Sequence, residues 1–199
     1  MNLSPSSTLR LVACSLSILG FALSTTYALD LTPRHGFRQG NEGPSTPVIQ
    51  FADGNGLVSY VPPPDWRPSG SGKLVTFFTA DPTSWMKLEI VAKSGPLSSG
   101  DASLPAENMQ AWAAKFLPPG VGNVEFVRMV PAPWTIGASQ STECIFNFTM
   151  SGVRATISIS AVDLSAKELL VIRVRALEKN FEHIREQAIT SMFSWSPAG

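Results

Sequence analysis

Residues Thr142–Ala176 read TECIFNFTMSGVRATISISAVDLSAKELLVIRVRA, and the alternation in this stretch decides the fold. Ser151-Gly152 suits a two-residue hairpin turn, because both central positions of the favoured turn need positive φ. Folding the chain there sets Met150 opposite Val153, Phe148 opposite Ala155, Phe146 opposite Ile157 and Cys144 opposite Ile159. Thr149 then meets Arg154 and Asn147 meets Thr156, so apolar faces apolar and polar faces polar; a slip of one residue would reverse every side chain. A four-residue loop at Leu164–Lys167 extends the pattern to a third strand, with Ala161 opposite Leu170, Ile159 opposite Ile172 and Ile157 opposite Val174.

Working outward, Phe181–Phe193 carries Phe181, Ile184, Ala188 and Met192 at helical spacing, with Asn180 as its expected cap. Upstream, Val124–Val130 reads as a strand and Pro105–Leu117 as a helix, capped by Ser103 and presenting Met109, Trp112, Ala113 and Phe116 on one face. Leu74–Thr79 and Met86–Lys93 are two further strands. Val48–Phe51 and Leu57–Val61 flank a turn-rich Ala52–Gly56 and form a hairpin, stopped by Pro62-Pro63-Pro64. Strands joined by short turns need no crossover helices, so the expected class is α+β, an antiparallel β-sheet packed by helices.

The chain has 199 residues, 15 basic and 15 acidic, with 44% hydrophobic residues. That composition excludes a wholly disordered chain, and the charge balance disfavours a nucleic-acid partner. The 15 glycines and 16 prolines predict many turns. Residues 1–28 read as a secretory signal peptide: Arg10, a mostly apolar Leu11–Leu23, then Thr26-Tyr27-Ala28 as a cleavage site. The apolar run is too short to span a bilayer, and no later run exceeds four residues, so no transmembrane segment is expected after signal removal. Cys14 follows a lipobox-like Leu-Val-Ala but stands near the beginning of the apolar run rather than after it, which argues against lipidation. Cleavage leaves 14 basic against 15 acidic residues and the single cysteine Cys144, so no intramolecular disulfide can form. Residues 29–47, rich in Gly, Pro and polar residues, read as a flexible N-terminal arm with a basic cluster of Arg34, His35 and Arg38, and residues 48–199 as one α+β domain.

Chemical motifs are sparse. Pro68–Lys73 imitates the end of a phosphate-binding loop, but Arg67 stands where the first glycine belongs and Leu74 where Ser or Thr belongs, so it reads as a flexible connection. Ser84-Trp85-Met86-Lys87 with Lys93-Ser94-Gly95 matches motifs of penicillin-recognising serine enzymes at the wrong spacing. His35 and His183 are the only imidazoles; His183 and Glu186 share a helix face, yet two ligands do not close a metal site. Cys144 falls on the core face, where burial suppresses the thiolate. Asn147-Phe148-Thr149 is a glycosylation sequon inside a strand, and Trp134 reads as a packed rim aromatic. Catalytic residues, metal ligands and cofactors are therefore not expected. The register sets Arg175 beside Thr156 and Arg173 beside Ser158, with Arg154 nearby, making Arg154, Arg173 and Arg175 the expected interaction surface for an anion or an acidic protein.

Tyr60-Val61-Pro62-Pro63-Pro64-Asp65-Trp66 resembles the strand, proline and tryptophan opening of Mog1/PsbP-like domains. The order that follows resembles theirs too: two strands, a helix at Asn108–Leu117, later hairpins, and a terminal helix ending Ile189-Thr190-Ser191-Met192-Phe193. The resemblance covers about Val48 to Trp195 and implies a Mog1/PsbP-like α/β/α sandwich. It also implies noncatalytic accessory and protein-binding roles, since that family includes a Ran-binding nuclear protein and photosystem accessory subunits. The expected function is an exported, periplasmic or extracellular binding domain contacting a protein or cell-envelope component. The competing expectation is a hydrolase or small-ligand enzyme, its site assembled from residues distant in sequence and marked by a concave pocket containing His183 or an acidic pair.

Overall fold

The computed structural model describes residues 29–38, 45–54, 56–93, 106–134, 136 and 141–197. The expected signal peptide, the Ser103 cap and Pro105 lie outside these residues. Two antiparallel sheets carry the architecture. The smaller contains β1 (Leu29–Arg38), β2 (Thr46–Asp53), β3 (Gly56–Tyr60) and the two-residue β11 (Ser196–Pro197), in the order β1-β2-β3-β11. The larger contains β4 (Arg67–Ser71), β5 (Leu74–Phe78), β6 (Trp85–Ala92), β7 (Gly122–Pro131), β8 (Thr142–Met150), β9 (Val153–Asp163) and β10 (Glu168–Leu177), in the order β4-β5-β6-β10-β9-β8-β7. Helix α1 spans Ala106–Ala114 and α2 spans Phe181–Met192.

The Ser151-Gly152 turn forms with φ of 51° and 78°, the left-handed pair that a twisted two-residue hairpin requires. All six expected pairings between β8 and β9 are present. The next register differs by one residue: Ile157 faces Arg175, Ile159 faces Arg173 and Ala161 faces Val171. The cause lies in the connection, where β9 continues to Asp163, pairs it with Leu169, and turns through Leu164 and Ser165, whose amides both donate to Glu168 O. This slip places Leu170, Ile172 and Val174 on one side of β10, and Leu169 and Val171 on the other. Leu169–Ile172 can be continuously apolar because β10, central in the larger sheet, is covered on both faces.

Each face therefore has its own core. Between the sheets and α2, Leu31, Phe51, Tyr60, Phe77, Leu88 and Ile172 are sealed from solvent. On the other face, Trp112 and Ala113 of α1 cover Cys144, Phe146, Phe148, Ile157 and Val171. The described part of α1 is shorter than expected and ends in tightened turns, with amides of Lys115, Phe116 and Leu117 donating three residues back. Asn180 precedes α2 but makes no side-chain cap bond.

The expected flexible arm needs correction, because Leu29–Arg38 is β1. Leu29 and Leu31 are buried, and the strand pairs with β2 from Leu29↔Asp53 to Arg38↔Thr46. Its register shifts between Asp30 and Arg34, around Pro33, where a residue without an amide proton is tolerated. Leu31 N also donates to Gly72 O, tying this sheet to the β4–β5 hairpin. The Gly-Ser stretch expected as a flexible connection is part of that hairpin. Gly70 has φ 139°, and a Cβ there would stand 2.3 Å from Leu74 O, so no side chain fits.

Candidate functional site

The three expected arginines do not share a surface. Alternation along β9 sends Arg154 to the α2 side, where it pairs with Glu178 at 3.0 Å and Glu125 at 3.4 Å. Arg173 and Arg175 emerge on the α1 side, a consequence of the one-residue register difference. Arg173 pairs with Glu89 and donates from Nη1 to Phe116 O at 3.2 Å, holding a cation against the carbonyl end of the α1 segment. Its guanidinium also lies over the Phe116 ring, while Arg175 lies over Phe148 and Lys87 over Trp85. Burial, the leading cause in each case, pulls all three side chains below their ordinary pKa.

A cleft opens on the opposite side of the larger sheet. Its cavity of about 460 Å³ is walled by Val61 and Pro62–Pro64 against one stripe of α2 and the turn after it: His183, Glu186, Gln187, Thr190, Ser191 and Ser194. Prolines cannot continue β3, so the chain leaves the sheet and runs beside the helix. Hydroxyls fix that spacing. Ser191 Oγ donates to Ala188 O at 2.7 Å, so the buried Tyr60 hydroxyl, also 2.7 Å away, donates to Ser191. Ser194 Oγ receives the Val61 amide at 2.7 Å and donates to Ser191 O at 2.6 Å. Burial, only partly offset by Ser191, pushes the Tyr60 phenol above its ordinary range and keeps it a neutral donor.

Sequence reasoning marked His183 and Glu186 as sharing a face, and both line this cleft. It missed the cleft itself; the available signal was the proline run ending a strand. His35 is exposed on β1 and is not among the cleft's lining residues. Ser84 is buried and donates to Asp81 Oδ2 at 3.2 Å. Trp134 is buried, its indole donating to Ser160 Oγ at 3.0 Å. Asn147 accepts from Thr156 Oγ1 at 2.8 Å within the β8–β9 ladder. Cys144 is buried, and its surroundings, chiefly desolvation and then the Glu143 charge, push its thiol up to about 11. No group of three or more potential metal-ligating side chains occurs among the described residues. None of the described helices is long and apolar enough to cross a membrane.

No family model matches the sequence, and no curated protein matches it. Solved structures do. The solution structure of cyanobacterial PsbP (CyanoP) from Synechocystis sp. PCC 6803 aligns with a TM-score of 0.50 at 11% identity, covering 79% of this chain and 96% of that one. The crystal structure of LpqN, involved in cell envelope biogenesis of Mycobacterium tuberculosis, aligns with a TM-score of 0.44 at 13% identity, covering 84% and 92%. The likeness to CyanoP is one of fold: the chain is α+β and Mog1/PsbP-like in architecture.

Proposed function

We propose that this chain is an exported, noncatalytic accessory domain that binds a protein or cell-envelope component, with the cleft between Pro62–Pro64 and α2 as its principal docking site. The cleft carries the reading. Its volume of about 460 Å³ falls in the range of small-ligand and side-chain pockets, and its proline wall is stiff, so little order is lost on binding. Export rests on the character of residues 1–28. A photocrosslinking residue at Thr190, exposed on the cleft wall, is expected to trap one discrete envelope component in intact cells. The same residue at Arg154, on another surface, should leave that product unformed. Equal products from both positions, or retention of the chain in the cytoplasm, would overturn the proposal.

The second reading, a hydrolase or small-ligand enzyme, is favoured by His183 and Glu186 lining the same cleft. It requires turnover of an ester or amide panel that His183→Ala abolishes while the fold is retained.

A further inference from the structure

Cross-strand neighbours on the α1 side of the larger sheet line up into two rows. Arg67 faces Phe78, Phe78 faces Trp85, and Trp85 faces Arg175. Beside that row, Ser69 faces Thr76, Thr76 faces Lys87, and Lys87 faces Arg173. Directly opposed residues project from the same face of a sheet, with Cβ atoms about 4.5–5.5 Å apart. Four strands thus place Arg67, Lys87, Arg173 and Arg175 on one patch, with the exposed Phe78 and the buried Trp85 between them. Helix α1 packs on this same face over β7 and β8, toward the opposite edge of the sheet, and so leaves β4, β5 and β6 uncovered by it. Phe78 is 41% exposed, Arg67 is exposed, and the other three cations are half-buried.

The charges are unequal. Glu89, in the adjoining row, pairs with Arg173 and lies within electrostatic reach of Lys87, while Asp163, farther along the same face, pairs with Lys93. Among the described residues, no carboxylate forms an ion pair with Arg67, Lys87 or Arg175. Asp81 lies within electrostatic reach of Arg175, and Asp65 shares a hollow with Arg67 at one end, so the margin is less positive than the centre. Formal charge over the whole chain is zero, so this excess is segregated. The Nε atoms of Arg173 and Arg175 are buried and unpartnered, and their guanidinium carbons stand 5.8 and 5.7 Å from the centres of the Phe116 and Phe148 rings. Guanidinium groups favour planar, two-pronged acceptors such as carboxylates, and the exposed Phe78 ring among them favours apolar or aromatic side chains.

We infer that this face, formed by Arg67, Phe78, Lys87 and Arg175, is a second docking site, and that its occupant is an acidic segment of a partner protein whose carboxylates alternate with aromatic residues. The inference extends the binding reading to a different surface, and the two fail separately: crosslinking at Thr190 tests the cleft, whereas titration tests this face. The probe is the peptide Glu-Glu-Phe-Glu-Glu-Phe-Glu-Glu, titrated into the isotope-labelled full chain. Saturable shifts are expected at amides of β5, β6 and β10, weakening as salt is raised. Arg67→Glu with Lys87→Gln should weaken binding by about tenfold or more, with an unchanged spectrum elsewhere reporting an intact fold. Arg67→Glu alone, at an exposed position, should weaken it several-fold and covers the case in which the double variant misfolds. Arg154→Glu, on the opposite face, should change affinity by less than about twofold. No saturable shift, an equal loss in Arg154→Glu, or displacement of the peptide by inorganic phosphate or single-stranded DNA at lower concentrations would overturn it.

Discussion

Glu143 on β8 and Arg185 on α2 form a two-pronged ion pair with no solvent access to the carboxylate. Arg185 Nε donates to Glu143 Oε1 at 2.9 Å, and its Nη2 donates to Oε2. Glu143 is 0% exposed and the Arg185 side chain 17%. A charge removed from water survives only with a partner of good geometry, so this pair fixes where α2 sits on the sheet and, with it, the position of the cleft wall. Arg185→Met is expected to destabilise the protein by about 3–5 kcal/mol, because it strands the buried carboxylate. Combining it with Glu143→Leu should recover most of that loss. Urea midpoints at constant slope check both, and a double variant as unstable as the single one would mean that the charges stabilise in themselves.

β1 supplies a second test. Leu31 is fully buried between the two sheets, whereas Phe37, in the same strand, is 72% exposed. Leu31→Ala should cost about 2–5 kcal/mol through lost burial and the cavity left behind. Phe37→Ala should stay within about 0.5 kcal/mol. Thermal unfolding separates the two outcomes, and equal effects would contradict β1 as a core strand.

What could be read from sequence follows the strength of local constraint. The β8–β9 register was legible because a two-residue turn and strict alternation give the same answer. The β9–β10 register was not: Leu169–Ile172 is apolar on both faces and permits either pairing, and the loop length is set by hydrogen bonds to Glu168 O. That single-residue ambiguity placed Arg173 and Arg175 on the face opposite Arg154, so the three do not form one patch even though the strands were identified. β1 was hidden because Pro33 breaks its alternation after only Leu29 and Leu31. The proline run and the His183–Glu186 face were each visible, but their meeting depends on Tyr60 reaching Ser191, a pairing no local pattern announces.

Cys144 offers a chemical check on the core beneath α1. Its thiol is buried on the Phe146–Phe148 face and pushed up to about 11. At pH 8 Cys144 in a Cys14→Ser variant should therefore react with a disulfide reagent far more slowly than a free thiol, with the full rate returning in denaturant. Rapid labelling of Cys144 in that folded variant would place the thiol in solvent and contradict the packing of α1 over β8.

The turn between β5 and β6 predicts a pH dependence. Asp81 accepts from Thr83 Oγ1 at 2.7 and 2.8 Å, from the Thr83 amide at 2.9 Å and from Ser84 Oγ at 3.2 Å. The Thr83 hydroxyl, then its amide, hold the Asp81 carboxyl below its ordinary 3.8. A depressed folded-state pKa contributes stability that is fully present above the unfolded value and is lost as pH falls through the folded value. Asp81→Ala should therefore cost about 1 kcal/mol at pH 7, a modest figure because the group is well solvated. The gap between the variant and the parent protein should hold down to about pH 5 and narrow below 3.8. Asp30, lowered chiefly by Thr32, acts in the same direction, so Asp30→Ala should show the same narrowing independently. Paired urea titrations at pH 7 and pH 3 measure it. A gap of equal size at both would mean that the turn is held by packing and neutral hydrogen bonds, with no contribution from the ionised carboxylate.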